Sequence, residues 1–223
     1  MSASVGLESD PAPFRDRREA GERLARALSA ERTPDGLVVG LARGGVEVAA
    51  SVADGLDLPL DALAVRKVGH PRQPEYALGA VTPGGGRYVR AYDDLSDEEV
   101  EAAVSAAIEQ ADELDRRLHE ARPALDPSGR TVILVDDGLA TGATMTAAVR
   151  WARAAGAARV VVAVPVGSTE TVRALIREAD DVVCVERPAY LAAVGFWYEN
   201  FGQVSDERVR ELLDGAPELG DPS

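Results

Sequence analysis

Lysine occurs once in this chain, as Lys67, and cysteine once, as Cys184. A lone cysteine cannot close an internal disulfide, and Cys184 lies in the apolar run 182–185, where it reads as a small core residue. Two histidines, His70 and His119, and one cysteine give no zinc-ligand spacing. No Gly-x-Ser-x-Gly elbow is present, and no glycine-rich loop ending in Gly-Lys-Ser/Thr. Long hydrophobic stretches are missing too. The longest apolar runs, 131–135 and 160–166, fall far short of the roughly 20 residues of a membrane helix, so no membrane association is expected. Residues 1–14 lack a basic segment followed by an apolar one, so no signal peptide is expected, and with the single cysteine this points to the cytoplasm. Positive charge is scarce: the net charge is -14 and the pI about 4.6, which argues against a nucleic-acid partner. Where 24 basic residues include one lysine, that compact, mobile charge marks Lys67 as a functional candidate.

What is present is an alternation of strand and helix patterns over 223 residues, the mark of an α/β domain with a mainly parallel sheet. A helix is expected at 16–30, a strand at 37–41, a helix at 46–52 and a second strand at 60–68. Residues 69–75, with His70, Pro71, Arg72, Pro74 and Glu75, read as a loop. A third strand at 77–81, a turn at 83–86 and a hairpin partner at 87–92 follow. Ser96 and Glu99 form a capping box that opens one long helix over 96–120. This helix reads as an insertion over the core or at a subunit contact, which leaves a homodimer open, and His119 on it reads as solvated. Further strands are expected at 131–135, 160–164 and 182–185, with helices at 144–155, 169–178 and 205–213. There is no internal repeat. One domain is expected, with its core at about 37–186, a helical insertion at about 96–122 and a tail at about 187–214.

The chemistry concentrates after the strand at 131–135. Asp136 and Asp137 stand at its C-terminal end, where open α/β sheets bind ligands. Gly138, Ala140, Thr141, Gly142, Ala143 and Thr144 then lead into a helix. The free N–H groups of a helix start make a phosphate site, to which Thr141 and Thr144 add hydroxyls, and Gly142 is expected to leave room for the anion. The macrodipole adds only about 0.3–1 kcal/mol, so amide and hydroxyl bonds must supply most of the affinity. The alternative is an acidic strand end and a polar turn that bind nothing.

The segment Val-Ile-Leu-Val-Asp-Asp-Gly-Leu-Ala-Thr-Gly-Ala-Thr resembles the 5-phosphoribosyl 1-diphosphate (PRPP) motif of type I phosphoribosyltransferases. The resemblance covers roughly 37–186 and implies that family's fold: a five-stranded, mainly parallel sheet flanked by helices, with a small hood. It implies that Asp136 and Asp137 hold the ribose hydroxyls and that 140–144 cradle the 5'-phosphate. It places a diphosphate loop at Ala42, Arg43, Gly44 and Gly45, and a diphosphate-contacting cation at Arg66-Lys67, followed by a flexible loop that covers the reaction. The plain alternatives are a strand-to-helix turn and a solvated basic pair. Lys67, Arg43 and Asp137 become the candidate catalytic groups. Mg2+ would be held mainly by ligand oxygens and water, with Asp136 and Asp137 as candidate protein ligands. A small-molecule acceptor is the implied second substrate, and nucleotide metabolism the setting.

Ala140 stands where hypoxanthine-guanine enzymes carry an aspartate, so a 6-oxopurine acceptor loses support. Phe196, Trp197, Tyr198 and Phe201 cluster in a chain that is only 4% aromatic. The first three are candidates for a hood over a base, and core packing is the alternative. With its Arg-Lys-Val-Gly-His-Pro loop, the sequence is closer to the phosphoribosyltransferase-like proteins than to the nucleobase enzymes. A PRPP- or nucleotide-binding regulator without turnover, or a hydrolase of a similar ligand, would carry the same phosphate loop.

Overall fold

A computed structural model describes residues 13–90 and 94–216. In chain order the elements are α1 (Arg17–Ala27), β1 (Gly36–Ala42), α2 (Gly44–Leu56), β2 (Leu60–Ala64), β3 (Arg66–His70), β4 (Gln73–Val81), β5 (Arg87–Val89), α3 (Asp97–Leu118), β6 (Thr131–Val135), α4 (Ala143–Ala154), β7 (Arg159–Val166), α5 (Thr169–Leu175), β8 (Asp181–Glu186) and α6 (Asp206–Asp214). Part of the expected hairpin partner, 91 and 92, lies outside the described residues. Among the described residues no helix is long and apolar enough to cross a membrane.

Five strands form one parallel sheet in the order β2-β1-β6-β7-β8. Their near-continuous apolar sequences follow from burial on both faces. On one face, Leu24, Val46, Val52, Leu114 and Val209 pack from α1, α2, α3 and α6. On the other, Met145, Val149, Ala152 and Leu175 pack from α4 and α5. The chain steps from β1 outward to β2, and later returns on the other side of β1 as β6. This reversal is the switch point where open sheets bind ligands. The register pairs Gly40 with Val135, so the acid pair emerges beside the loop at 42–45.

The strand expected at 60–68 is two strands in two sheets. Leu60–Ala64 is buried throughout and joins the parallel sheet. From Arg66 the burial alternates, so β3 belongs to a sheet with unlike faces. Two adjacent cations could not have continued into a sheet covered on both sides. The second sheet is antiparallel, in the order β3-β4-β5. Val68, Leu78 and Val81 on one of its faces pack against Val104 and Ala107 of α3.

The loop expected at 69–75 is therefore a hairpin tip, with Gly69 and His70 in β3 and Gln73 opening β4. The Pro71-Arg72 turn is held by side chains. The His70 ring is buried, its Nδ1 accepts the Arg72 amide at 3.2 Å, and its Nε2 lies 3.3 Å from Asp94. The Arg72 guanidinium grips Glu99 of the Ser96–Glu99 capping box at 2.9 Å. His119 is not solvated either. It caps α3 with its ring against Asp61 (3.0 Å) and the Asp115 carbonyl (3.0 Å). Its place at the end of a charged helix hid that the helix end turns inward onto β2.

Candidate functional site

The Asp137 amide donates to Asp136 Oδ1 at 2.9 Å, which folds the two carboxylates into one turn at the end of β6. Arg17 of α1 donates from Nε (2.9 Å) and Nη2 (2.8 Å) to Asp137 Oδ2, and from Nη1 to the Gly202 carbonyl at 2.8 Å. Its guanidinium stacks 3.9 Å from the Phe201 ring centre and is 7% exposed. Burial raises the pKa of both aspartates. The Asp137 charge pushes Asp136 higher still, while Arg17 pulls Asp137 back down.

The sequence reading missed Arg17. A signal was there: 17, 21, 24 and 28 share one face of α1 with Leu24 and Leu28, and a charge on an apolar face is the informative exception.

The loop at 42–45 lies directly against the acid pair. A Cβ at Gly44 would run into Asp137 Oδ2, and one at Gly45 would sit 2.6 Å from the Val135 carbonyl. The glycines are thus required by close approach as much as by exposed amides. The Ala42–Arg43 peptide is cis. The Arg43 side chain does not line the cleft described next. It pairs with Asp206 at 2.5 Å, on the side of α6.

The loop at 138–144 is anchored by Leu139, which is buried and donates its amide to the Val166 carbonyl at 2.8 Å, and by Thr171, whose hydroxyl donates to the Ala140 carbonyl. Gly142 caps α4 in the left-handed region, with φ +74. The first bond of the helix runs from the Thr146 amide to the Gly142 carbonyl, so the preceding amides face outward past the helix start. A Cβ at Gly142 would meet Thr171 Cγ2 at 2.8 Å. Gly142 is thus needed for its φ and for packing on α5, and it also lines the cleft described next.

Ala140, Thr141, Gly142, Ala143 and Thr144 line one wall of a cleft of about 510 Å³, with Asp136 and Asp137 beside them. The antiparallel sheet provides the other wall through Lys67, Tyr76 and Arg90. Lys67 is exposed, and its charge acts on Asp136. The structure therefore brings together the acid pair, the loop at 140–144 and Lys67, and adds Arg90, which had only been placed in the expected hairpin partner, and Tyr76, which fell between the expected loop and strand.

The aromatic cluster divides. Phe196 is 76% exposed and Trp197 half-buried. Tyr198 is 5% exposed, packed between Phe14 and Phe201, and its hydroxyl donates to the Asp137 carbonyl at 2.7 Å. With no free ring face it cannot stack on a base. It buttresses the acid pair instead, and Val194 is the residue of this segment that reaches the cleft.

Among the described residues no group of three or more His, Cys, Asp or Glu could hold a metal. No other described residue donates a hydrogen bond to Asp136 Oδ2 or Asp137 Oδ1, and both aspartates border the cleft. Two carboxylate oxygens beside room for a polyanion suit Mg2+, which takes one or two carboxylates and completes its shell with phosphate oxygens and water.

A parallel sheet whose switch point carries an acid pair beside a helix start defines an open α/β protein with its cleft at the crossover. The chain belongs to the phosphoribosyl transferase domain family, which it matches over residues 15–200, and it has the type I phosphoribosyltransferase fold. It is 45% identical over 208 residues to a Mycobacterium tuberculosis protein named "Putative phosphoribosyl transferase Rv0571c". That match covers 91% of this chain and 47% of the relative, so the chain spans about half the length of the curated relatives it matches. The crystal structure of TT1426 from Thermus thermophilus is 44% identical, with a TM-score of 0.77, over 90% of this chain and 97% of that one.

Proposed function

We propose that this chain, acting as one domain, binds PRPP in the cleft and transfers its phosphoribosyl group to a nitrogen nucleophile, with release of diphosphate. The acid pair, packed on Gly44-Gly45 and followed by the helix start of α4, carries this reading. Asp136 and Asp137 accept the ribose hydroxyls, and the amides and hydroxyls of 140–144 hold the 5'-phosphate. The ribose C1–O bond breaks, its electron pair leaves with diphosphate, and the nucleophile closes a C1–N bond as it gives up a proton. Positive charge gathers on the sugar, where the carboxylates favour it, and negative charge on the leaving group, which Lys67 meets from the sheet wall. Bound Mg2+ would neutralise diphosphate charge, held by Asp136 and Asp137. Tyr76, an exposed aromatic ring in the sheet wall of the cleft, is offered to a flat acceptor.

Calorimetry of PRPP with Mg2+ tests the assignment. Asp136→Asn with Asp137→Asn abolishes binding while circular dichroism stays native. A folded double variant that binds like wild type sinks the reading. One observation favours a second reading, a PRPP- or nucleotide-binding protein without turnover: Arg43 is paired with Asp206 and not turned to the cleft. Diphosphate release from PRPP across a panel of nucleobases separates the two.

A further inference from the structure

The loop at 138–144 carries no cation, and neither do Met145 and Thr146 after it. A phosphate monoester has about -1.5 to -2 charge at neutral pH. Here it would arrive beside two carboxylates in a chain of net charge -14. The macrodipole of α4 is worth too little to offset that charge. Among the described residues that line the cleft, the cations are Lys67 and Arg90, both on the sheet wall.

The antiparallel sheet sets these two cations apart. Lys67 pairs with Ala80, and Ala80 with Tyr88, so the three share one rung and one face. Ala80 and Tyr88 pack with the core on the α4 side. The Arg90 amide extends the ladder to the Leu78 carbonyl at 2.9 Å, and strand alternation returns its side chain to the face of Tyr88. Lys67 and Arg90 thus stand on the two outer strands with β4 between them, about 10 Å apart across the sheet. Lys67 belongs to the acid-pair end, where its charge acts on Asp136. Arg90 belongs to the α4 end, because β5 lies on that helix. A Cβ at Gly86 would meet the Ala147 carbonyl at 2.5 Å, and Arg150 donates to the Arg87 carbonyl at 3.0 Å. The Arg150 guanidinium stands 5.3 Å from the Tyr88 ring centre, and Arg90 Nε donates to the Tyr88 hydroxyl at 3.4 Å. Arg90 is therefore tied through Tyr88 to the helix that starts in the cleft at Ala143 and Thr144.

We propose that Arg90 is the counter-charge of the 5'-phosphate, facing the anion from the antiparallel sheet while the amides and hydroxyls of 140–144 hold its other side. This rests on the cleft holding a phosphorylated ribose, and it adds a residue outside the loop that the resemblance assigns to that phosphate. The planar fork of arginine meets two phosphate oxygens at once, which the point charge of a lysine does not. With Lys67 at one end and Arg90 at the other, the cleft selects a ribose charged at both its 1 and its 5' positions. A nucleoside, charged at neither, is rejected.

The test is calorimetry of the full chain with ribose 5-phosphate and, in parallel, with inorganic diphosphate and Mg2+. Arg90→Gln weakens ribose 5-phosphate binding roughly tenfold or more, as expected for lost hydrogen bonds between charged groups. Arg90→Lys, which keeps the charge and loses the fork, recovers part of it. Diphosphate affinity stays at its wild-type value in both variants. Arg90 is exposed, so the melting temperature stays close to wild type. Wild-type affinity of Arg90→Gln for ribose 5-phosphate overturns the assignment, and so does an equal loss for diphosphate. An unchanged ribose 5-phosphate affinity with a raised KM for carboxylate-bearing bases alone also overturns it, and moves Arg90 to the acceptor. If ribose 5-phosphate responds as described but no base releases diphosphate from PRPP, the transfer reading falls and this one stands. Ribose 5-phosphate that fails to bind the wild type takes both down.

Discussion

Removing the Arg17 guanidinium would leave the part-buried Asp137 carboxylate against Gly44, with no other cation in contact with it among the described residues. Arg17→Met should therefore destabilise the fold by about 3 kcal/mol, the low end for breaking a buried ion pair from one side. A urea titration reads this directly, and a loss below about 1 kcal/mol would mean that Asp137 does without its partner. Thr144 is a cleaner probe of the phosphate loop, because it is half-buried at the cleft and starts no network that the fold needs. Thr144→Val should weaken ribose 5-phosphate binding by about 1.5–3 kcal/mol and leave the melting temperature within a degree or two. Equal affinities would deny the hydroxyl a phosphate contact. At this scale the sequence disclosed residues that follow one another along the chain. Asp136 to Thr144 were readable because strand, acids and helix start are consecutive. Arg90 and the support from Tyr198 were not, because they reach the same cleft or acid pair from distant segments, and Arg17 left only the trace of a charge on an apolar helix face.

Most helices and parallel strands were legible to within a residue or two, since apolar runs and the Ser96 cap are local signals, but the ends of α1, α2, β2 and α5 were missed by three or four residues. The antiparallel sheet was harder. Pro71 and Pro74 announced a turn, but its brevity depends on His70, Arg72 and Glu99 meeting in space. The end of α3 carries a second long-range lock. His119, pressed between Asp61 and Asp115, has its pKa raised from 6.5 to about 10, because the bonds and charges of both carboxylates outweigh burial. A pKa raised on folding stabilises fully below the unfolded value and less and less above it. Stability should therefore fall as pH rises from about 6.5 to about 10, and His119→Gln should flatten that slope. Urea midpoints at half-unit pH steps measure it, and parallel slopes in both proteins would remove His119 from the account.

Over the whole molecule, a net charge of -14 sets acidic side chains against one another. Self-repulsion destabilises the compact state and is screened by salt. The melting temperature should climb by several degrees between about 0.02 and about 0.5 M NaCl, where the Debye length shrinks from roughly 20 Å to a few Å. A flat or falling curve would show that the 24 basic residues already neutralise the surface locally. The acid pair ties the two ends of the described chain together. Arg17 comes from the first helix, whereas Tyr198, which holds the Asp137 carbonyl, and Gly202, which holds Arg17, follow the last strand. A ribosome delivers these parts in order, with the aspartates midway. A nascent chain halted after α5 would carry both carboxylates and the phosphate loop, but not the residues that fix Asp137 and Arg17 in place. On the proposed reading, a site able to hold its ligand is complete only once translation has passed Gly202.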